Sequence, residues 1–239
     1  MPERYDNRQF RRALLQLPLQ HKLSVAGTAG VGVGWTRDVS EGGACVELPE
    51  VLQPPLPLQI RLHTARGPIE AEAQVVWGAE AQAVREAEAQ VVWAWEAGST
   101  GRGVLHGLAF TQLSPSQRYA LRTVLQRNAE ESPASVRLPL RVPATCEPEN
   151  PGGPPLLGET EAISRETLSL RLPWPLPPGT LVRLILHTPH EPLMVKGTVV
   201  QVEPPEQQRP GEAIRLTVRL TPLGWYASLY LGLILMALS

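Results

Sequence analysis

Val31-Gly32-Val33-Gly34-Trp35-Thr36-Arg37, then Asp38-Val39-Ser40-Glu41-Gly42-Gly43, then Ala44-Cys45-Val46-Glu47-Leu48 reads as strand, turn, strand. Aspartate, serine and glycine are turn residues because their side chains, or the lack of one, satisfy a reversing backbone. Similar short runs lie on either side: Leu14–Val25, Leu56–His63, Ile69–Trp77 and Val104–Thr111. Several alternate apolar and polar residues, as a half-buried antiparallel strand requires. In the run Ile69–Trp77, Val75 and Trp77 are expected to share a face, with Gln74 and Val76 on the other. Many short strands with close-spaced turns suggest a small barrel or sandwich. A helix should follow, because Ser114 can cap its first turn and Pro115 fits the first helical position. It should fade at Asn128, and 129–135 reads as an exposed linker.

The second half repeats this order. Val136–Val142, Thr167–Leu172, Thr180–His187, Leu193–Val202 and Ala213–Leu220 read as strands, Pro148–Pro155 as a loop, and the apolar segment Leu223–Leu238 stands where the first half has its helix. The expected organisation is mainly β: two tandem small antiparallel β-barrels, 1–130 and 131–239, each followed by a C-terminal helix. Within the first, Glu-Ala-Glu-Ala-Gln-Val-Val-Trp occurs at Glu70–Trp77 and again at Glu86–Trp93. A barrel needs one such strand there, so the other copy extends a duplicated hairpin within 70–101. The even offset keeps every side chain on its face whichever copy is used.

Composition bounds the function. The net charge of −1 over 239 residues gives no general attraction to nucleic acid, so any anion site must be local. The 25 prolines favour short strands, edges and turns. Cys45 and Cys146 lie far apart and, with five histidines, form no metal-ligand pattern. His63, His106, His187 and His190 read as surface or strand residues. No catalytic constellation can be built from spacing, so no enzyme and no cofactor are expected. The polar N-terminus Met1–Asp6 and the reduced cysteines point to the cytoplasm. Trp225–Leu238 carries no charge but is shorter than the ~20 residues a bilayer-spanning helix needs. Burial between domains, or against a protein partner or second copy, is the favoured expectation; membrane contact is the less favoured one.

An arginine-rich arm, Arg8-Gln9-Phe10-Arg11-Arg12, precedes the first strand. Arginine can fork onto the O6/N7 edge of guanine and stack on its face. Asp38 can accept from guanine N–H groups, Ser40 can reach a phosphate, and Gly43 lets the backbone come close. Each cluster alone is ordinary, the arm as a solvated basic segment and the turn as a turn. Their order is specific: R-x-x-x-R, strand, D-x-S-x-x-G, further strands, a Gly-x-x-x-Gly-x-x-Phe run (Gly103, Gly107, Phe110) and a helix. This order resembles the PilZ domain family over most of 8–127. The resemblance implies a bacterial second-messenger receptor built on a six-stranded split barrel that carries cyclic di-GMP on its outer face. Arg8, Arg12, Asp38, Ser40 and Gly43 match the motif positions. In the second half the equivalent turn is Ala162-Ile163-Ser164-Arg165-Glu166-Thr167, beside Arg137 and Arg141. The carboxylate and the glycine are gone, so a degenerate copy that does not bind the same ligand is expected. The rival expectation is a ligand-independent interaction module on the same fold.

Overall fold

The computed structural model describes residues 10–23, 31–78, 103–130, 137–149, 154–203 and 213–238. They divide into two compact units. The first contains β1 (Ala13–Leu14), β2 (Pro18–Leu23), β3 (Val31–Ser40), β4 (Gly43–Leu48), β5 (Leu56–Thr64), β6 (Gly67–Gly78), β7 (Val104–Gln112) and α1 (Pro115–Glu130). Six strands run in the order β3-β2-β5-β6-β7-β4, and β4 pairs back onto β3 to close the barrel. The short β1 lies outside this ring on β3, with Leu14 opposite Asp38.

The core follows from the alternation. Leu58, Ile60 and Leu62 on β5 and Ile69, Ala71, Ala73 and Val75 on β6 are buried, while Glu70 and Glu72 face out. Each fully buried leucine or isoleucine contributes about 1.5–3 kcal/mol. The first copy of the octapeptide therefore supplies the barrel strand, and the second copy lies outside the described residues. Val75 and Trp77 do not share a face. A bulge sets Val75 opposite Leu108 and Trp77 opposite Gly107. Trp77 turns outward, 43% exposed, and its ring covers Gly107, where a Cβ would meet the indole Nε1 at 2.0 Å. An extra residue in one strand re-aims the side chains beyond it.

The second unit contains β8 (Leu138–Pro139), β9 (Pro143–Pro148), β10 (Leu156–Ile163), β11 (Thr167–Leu172), β12 (Leu181–Leu186), β13 (Leu193–Val202), β14 (Ile214–Leu220) and α2 (Trp225–Leu238). Its ring order, β10-β9-β12-β13-β14-β11 with β11 closing on β10, is the first ring repeated, and β8 stands outside on β10 as β1 does on β3. The chain is thus two closed six-stranded antiparallel barrels, each followed by a helix.

The runs Leu14–Val25 and Val136–Val142 are not continuous strands. In both, the chain leaves the outer strand and enters the ring past a buried threonine. Thr36 Oγ1 accepts from the Leu17 N–H at 2.8 Å and donates to the Leu15 carbonyl. Thr160 Oγ1 accepts from Val142 N–H at 3.0 Å and donates to the Leu140 carbonyl at 2.6 Å. A side chain there replaces a ladder partner, so the strand breaks. The sequence reading also passed over β9 and β10. β9 is bounded by prolines and β10 carries a glycine and two glutamates, so their propensity for strand is low. Pairing on both sides makes them strands all the same. Gly158 is needed in β10 because a Cβ would meet the Arg171 carbonyl oxygen at 2.1 Å.

α2 lies with Trp225, Ser228, Leu231, Ile234 and Leu235 buried and Tyr226 and Leu233 exposed. Within its own unit, Tyr230 Oη accepts from the Glu191 N–H at 3.0 Å and donates to the Glu191 carbonyl at 2.8 Å. No helix among the described residues is long and apolar enough to cross a membrane.

Candidate ligand site on the first barrel

The turn begins later than its composition suggests. Asp38, Val39 and Ser40 complete β3, Glu41 and Gly42 reverse the chain, and Gly43 opens β4. A bulge lies just before the site: Thr36 is opposite Val46 and Asp38 opposite Cys45, so Arg37 is the extra residue. It lets consecutive residues, Arg37 and Asp38, both reach the outer surface. Such bulges are common beside functional sites for this reason.

Asp38 is met there by the arm. Arg12 Nη1 donates to Asp38 Oδ1 at 2.6 Å, with side chains 29% and 23% exposed. A charge-assisted hydrogen bond of this length, half out of water, is stronger than an exposed pair. Phe10, two residues earlier, lies against the turn, where a Cβ on Gly42 would come within 2.7 Å of its ring. The arm therefore touches the end of β3 at Asp38 and the turn at Gly42. Arg8 lies outside the described residues, as does the first segment of the arm.

The remaining motif residues have structural work that their chemistry did not announce. Ser40 is buried, and its hydroxyl donates to the Gly43 carbonyl at 3.1 Å, closing the turn. A Cβ at Gly43 would sit 2.1 Å from the Leu108 carbonyl oxygen, so glycine is required for β4 to approach β7. Cys45, opposite Asp38, has its thiol pushed up by burial and then by the Asp38 charge, which keeps it protonated and unreactive. Glu41 accepts from Arg122 Nε of α1 at 2.7 Å.

Sequence reasoning missed Thr36 and Cys45 as neighbours of the site. A signal was available for the first: Gly34-Trp35-Thr36-Arg37-Asp38-Val39-Ser40 and Gly158-Glu159-Thr160-Glu161-Ala162-Ile163-Ser164 share Gly-x-Thr at the same distance from the serine. The second barrel has the same bulge, between Thr160 and Ala162. Ala162 stands where Asp38 does. Ser164 closes its turn by accepting from the Thr167 N–H at 2.9 Å. Arg137, with no carboxylate at 162, donates from Nη1 to Ser169 Oγ at 3.0 Å. The cation of the site survives in the second copy; its counter-charge does not.

Among the described residues no group of three or more histidine, cysteine, aspartate and glutamate side chains is placed to hold a metal ion. His106 is fully buried and spends both nitrogens on the backbone, at the Leu52 N–H (2.9 Å) and the Val104 carbonyl (3.0 Å).

No curated protein sequence matches the chain. Among solved structures, the chain is similar to the PilZ domain with c-di-GMP of YcgR from Escherichia coli, at 19% identity and TM-score 0.39, covering 52% of this chain and 95% of that one. It is similar to the K. pneumonia MrkH–c-di-GMP complex at 12% identity and TM-score 0.36, covering 93% and 87%. It is also similar to the Bacillus subtilis inhibitor of motility (MotI/DgrA) at 9% identity and TM-score 0.33, covering 94% of each. The PilZ domain family model matches residues 6–85 and 131–224, one segment on each barrel and together well over half the chain. The chain belongs to the PilZ domain family, carried here in two copies, the second of which has lost the carboxylate of the motif.

Proposed function

We propose that this protein is a non-enzymatic receptor whose first barrel binds cyclic di-GMP through Arg8, Arg12, Asp38, Ser40 and Gly43. The observation that carries this reading is the Arg12–Asp38 contact at 2.6 Å, which joins the N-terminal arm to the end of β3, 26 residues on, on one face of a closed barrel. Arg12 gives the Asp38 carboxylate an N–H donor, the same chemistry that the N1–H and N2–H groups of guanine offer. A guanine would take over that carboxylate and leave the guanidinium to fork onto a base edge or phosphate. A bidentate arginine–guanine contact is worth about 1–3 kcal/mol of discrimination against the wrong base, base stacking on arginine adds a contribution of similar order, and the affinity expected of two arginines and an aspartate is micromolar, about −8 kcal/mol.

The division of labour is between 1–130, which binds, and 131–239, which docks or transmits. Ligand re-pairs the arm that Arg12 and Phe10 already lay on the barrel, and the changed surface signals to a protein partner or to a second copy, with the exposed Tyr226 and Leu233 of α2 as the contact offered. The cytoplasm is the compartment this reading assigns.

Isothermal titration with cyclic di-GMP tests it. Binding is expected for the native chain, loss of at least tenfold for Arg8→Ala and for Asp38→Ala, and unchanged affinity for Arg137→Ala. A native chain that takes up no cyclic di-GMP would leave the ligand-independent interaction module as the function.

A further inference from the structure

α1 touches both halves of the candidate site. On the turn side, Glu41 stands between Ser40 and Gly42, and its carboxylate accepts from Arg122 Nε at 2.7 Å across 81 residues of sequence. On the arm side, α1 packs against β1, whose first residue, Ala13, follows Arg12 directly. The second barrel repeats the tie in different chemistry. Arg165 occupies the place of Glu41 in the equivalent turn, and its Nη2 donates to Ser228 Oγ on α2 at 3.3 Å. A turn-to-helix contact thus recurs in two barrels whose side chains at that contact share neither charge nor identity.

The Arg122–Glu41 pair is not a staple of the fold. The Arg122 side chain is 54% exposed, and pairs of that kind add little to stability. A weak contact between a ligand-bearing turn and a helix is well suited to respond to occupancy. Its two sides must also respond to each other equally, because coupling between sites is reciprocal.

We propose that Arg122 is a positioning residue for the ligand site: through Glu41 it holds the turn that joins Asp38 and Ser40 on β3 to Gly43 on β4, and it makes α1 the element that reports occupancy. This rests on the receptor reading above and adds to it the residue that passes the signal out of the barrel.

The test pairs titration with hydrogen exchange on the full chain. Arg122→Ala and Glu41→Gln should each weaken cyclic di-GMP binding about two- to fivefold. The double variant should be no worse than either single, and the melting temperature should barely move. Cyclic di-GMP should slow amide exchange in 118–126 of the native chain and lose that effect in Arg122→Ala at saturating ligand. Without ligand, Arg122→Ala should speed exchange at Gly42 and Gly43. A native chain that binds while both single variants bind equally well, or whose α1 exchange ignores the ligand, overturns the role of Arg122 and leaves the receptor reading intact. A native chain that does not bind overturns both.

Discussion

Thr36 and Gly43 show how little of a residue's structural duty is visible in its chemistry. Thr36 is fully buried and satisfies one backbone donor and one acceptor of the segment between β1 and β2, and Thr160 does the same between β8 and β9 in the second barrel. Valine has the same shape but strands both groups, at about 1–3 kcal/mol for a buried unpaired group. Thr36→Val and Thr160→Val should each cost about 2 kcal/mol in urea unfolding, and a cost below about 0.5 kcal/mol would mean the threonine clip is ornamental. Gly43 belongs to the proposed ligand motif, yet its Cβ position is filled by the Leu108 carbonyl. Gly43→Ala should therefore destabilise the barrel by about 1–3 kcal/mol even with no ligand present. A variant that melts like the native chain and loses only binding would contradict this.

At the scale of elements, α1 and α2 occupy corresponding places with different means of support. Ser114 and Gln117 form a reciprocal cap on α1: the Gln117 N–H reaches Ser114 Oγ at 3.2 Å, and the Ser114 N–H reaches Gln117 Oε1 at 2.7 Å. Ser114→Ala should cost about 1 kcal/mol, read as a lower melting temperature. α2 has no charged residue and depends on its buried stripe and on Tyr230. Tyr230→Phe removes the hydroxyl that bonds both backbone groups of Glu191 and should cost about 1 kcal/mol, measured by chemical denaturation of the full chain. β9 and β10 carry the opposite lesson. Their sequences favour neither strand nor helix, and the pairing of their neighbours decides the matter.

Over the whole molecule, the two barrels share a topology but differ in the burial of their histidines. In the first, burial pushes the imidazoles of His63 and His106 below their ordinary value of 6.5, with the Arg61 charge adding to the effect at His63. Above that value both folded and unfolded chains hold them neutral. Below it the unfolded chain takes up protons that the folded barrel refuses, so stability falls as the pH drops. Glu50 acts lower on the scale: burial alone would raise its carboxyl, but the hydrogen bond and charge of His21 outweigh it. Its contribution is kept above about pH 4.5 and lost only as the pH falls further. In the second unit both histidines, His187 and His190, are exposed. Thermal unfolding followed separately in each unit by hydrogen exchange should show the first losing stability between about pH 7 and 5.5 and the second changing little. Equal losses in both would refute this assignment.

Most strands of the first barrel, the two-barrel repeat and the helix start at Ser114 were legible in the amino-acid sequence. Each depends on local alternation, on turn residues or on a motif read in order, and these are written in neighbouring residues. Three things were not: the bulge at Arg37 that turns Asp38 outward, the threonine that breaks the first strand of each copy, and the outward turn of Trp77. Each depends on which strand lies alongside and on how a register shifts by one residue. Only the closed barrel brings those partners together, and only there does Arg12 meet Asp38.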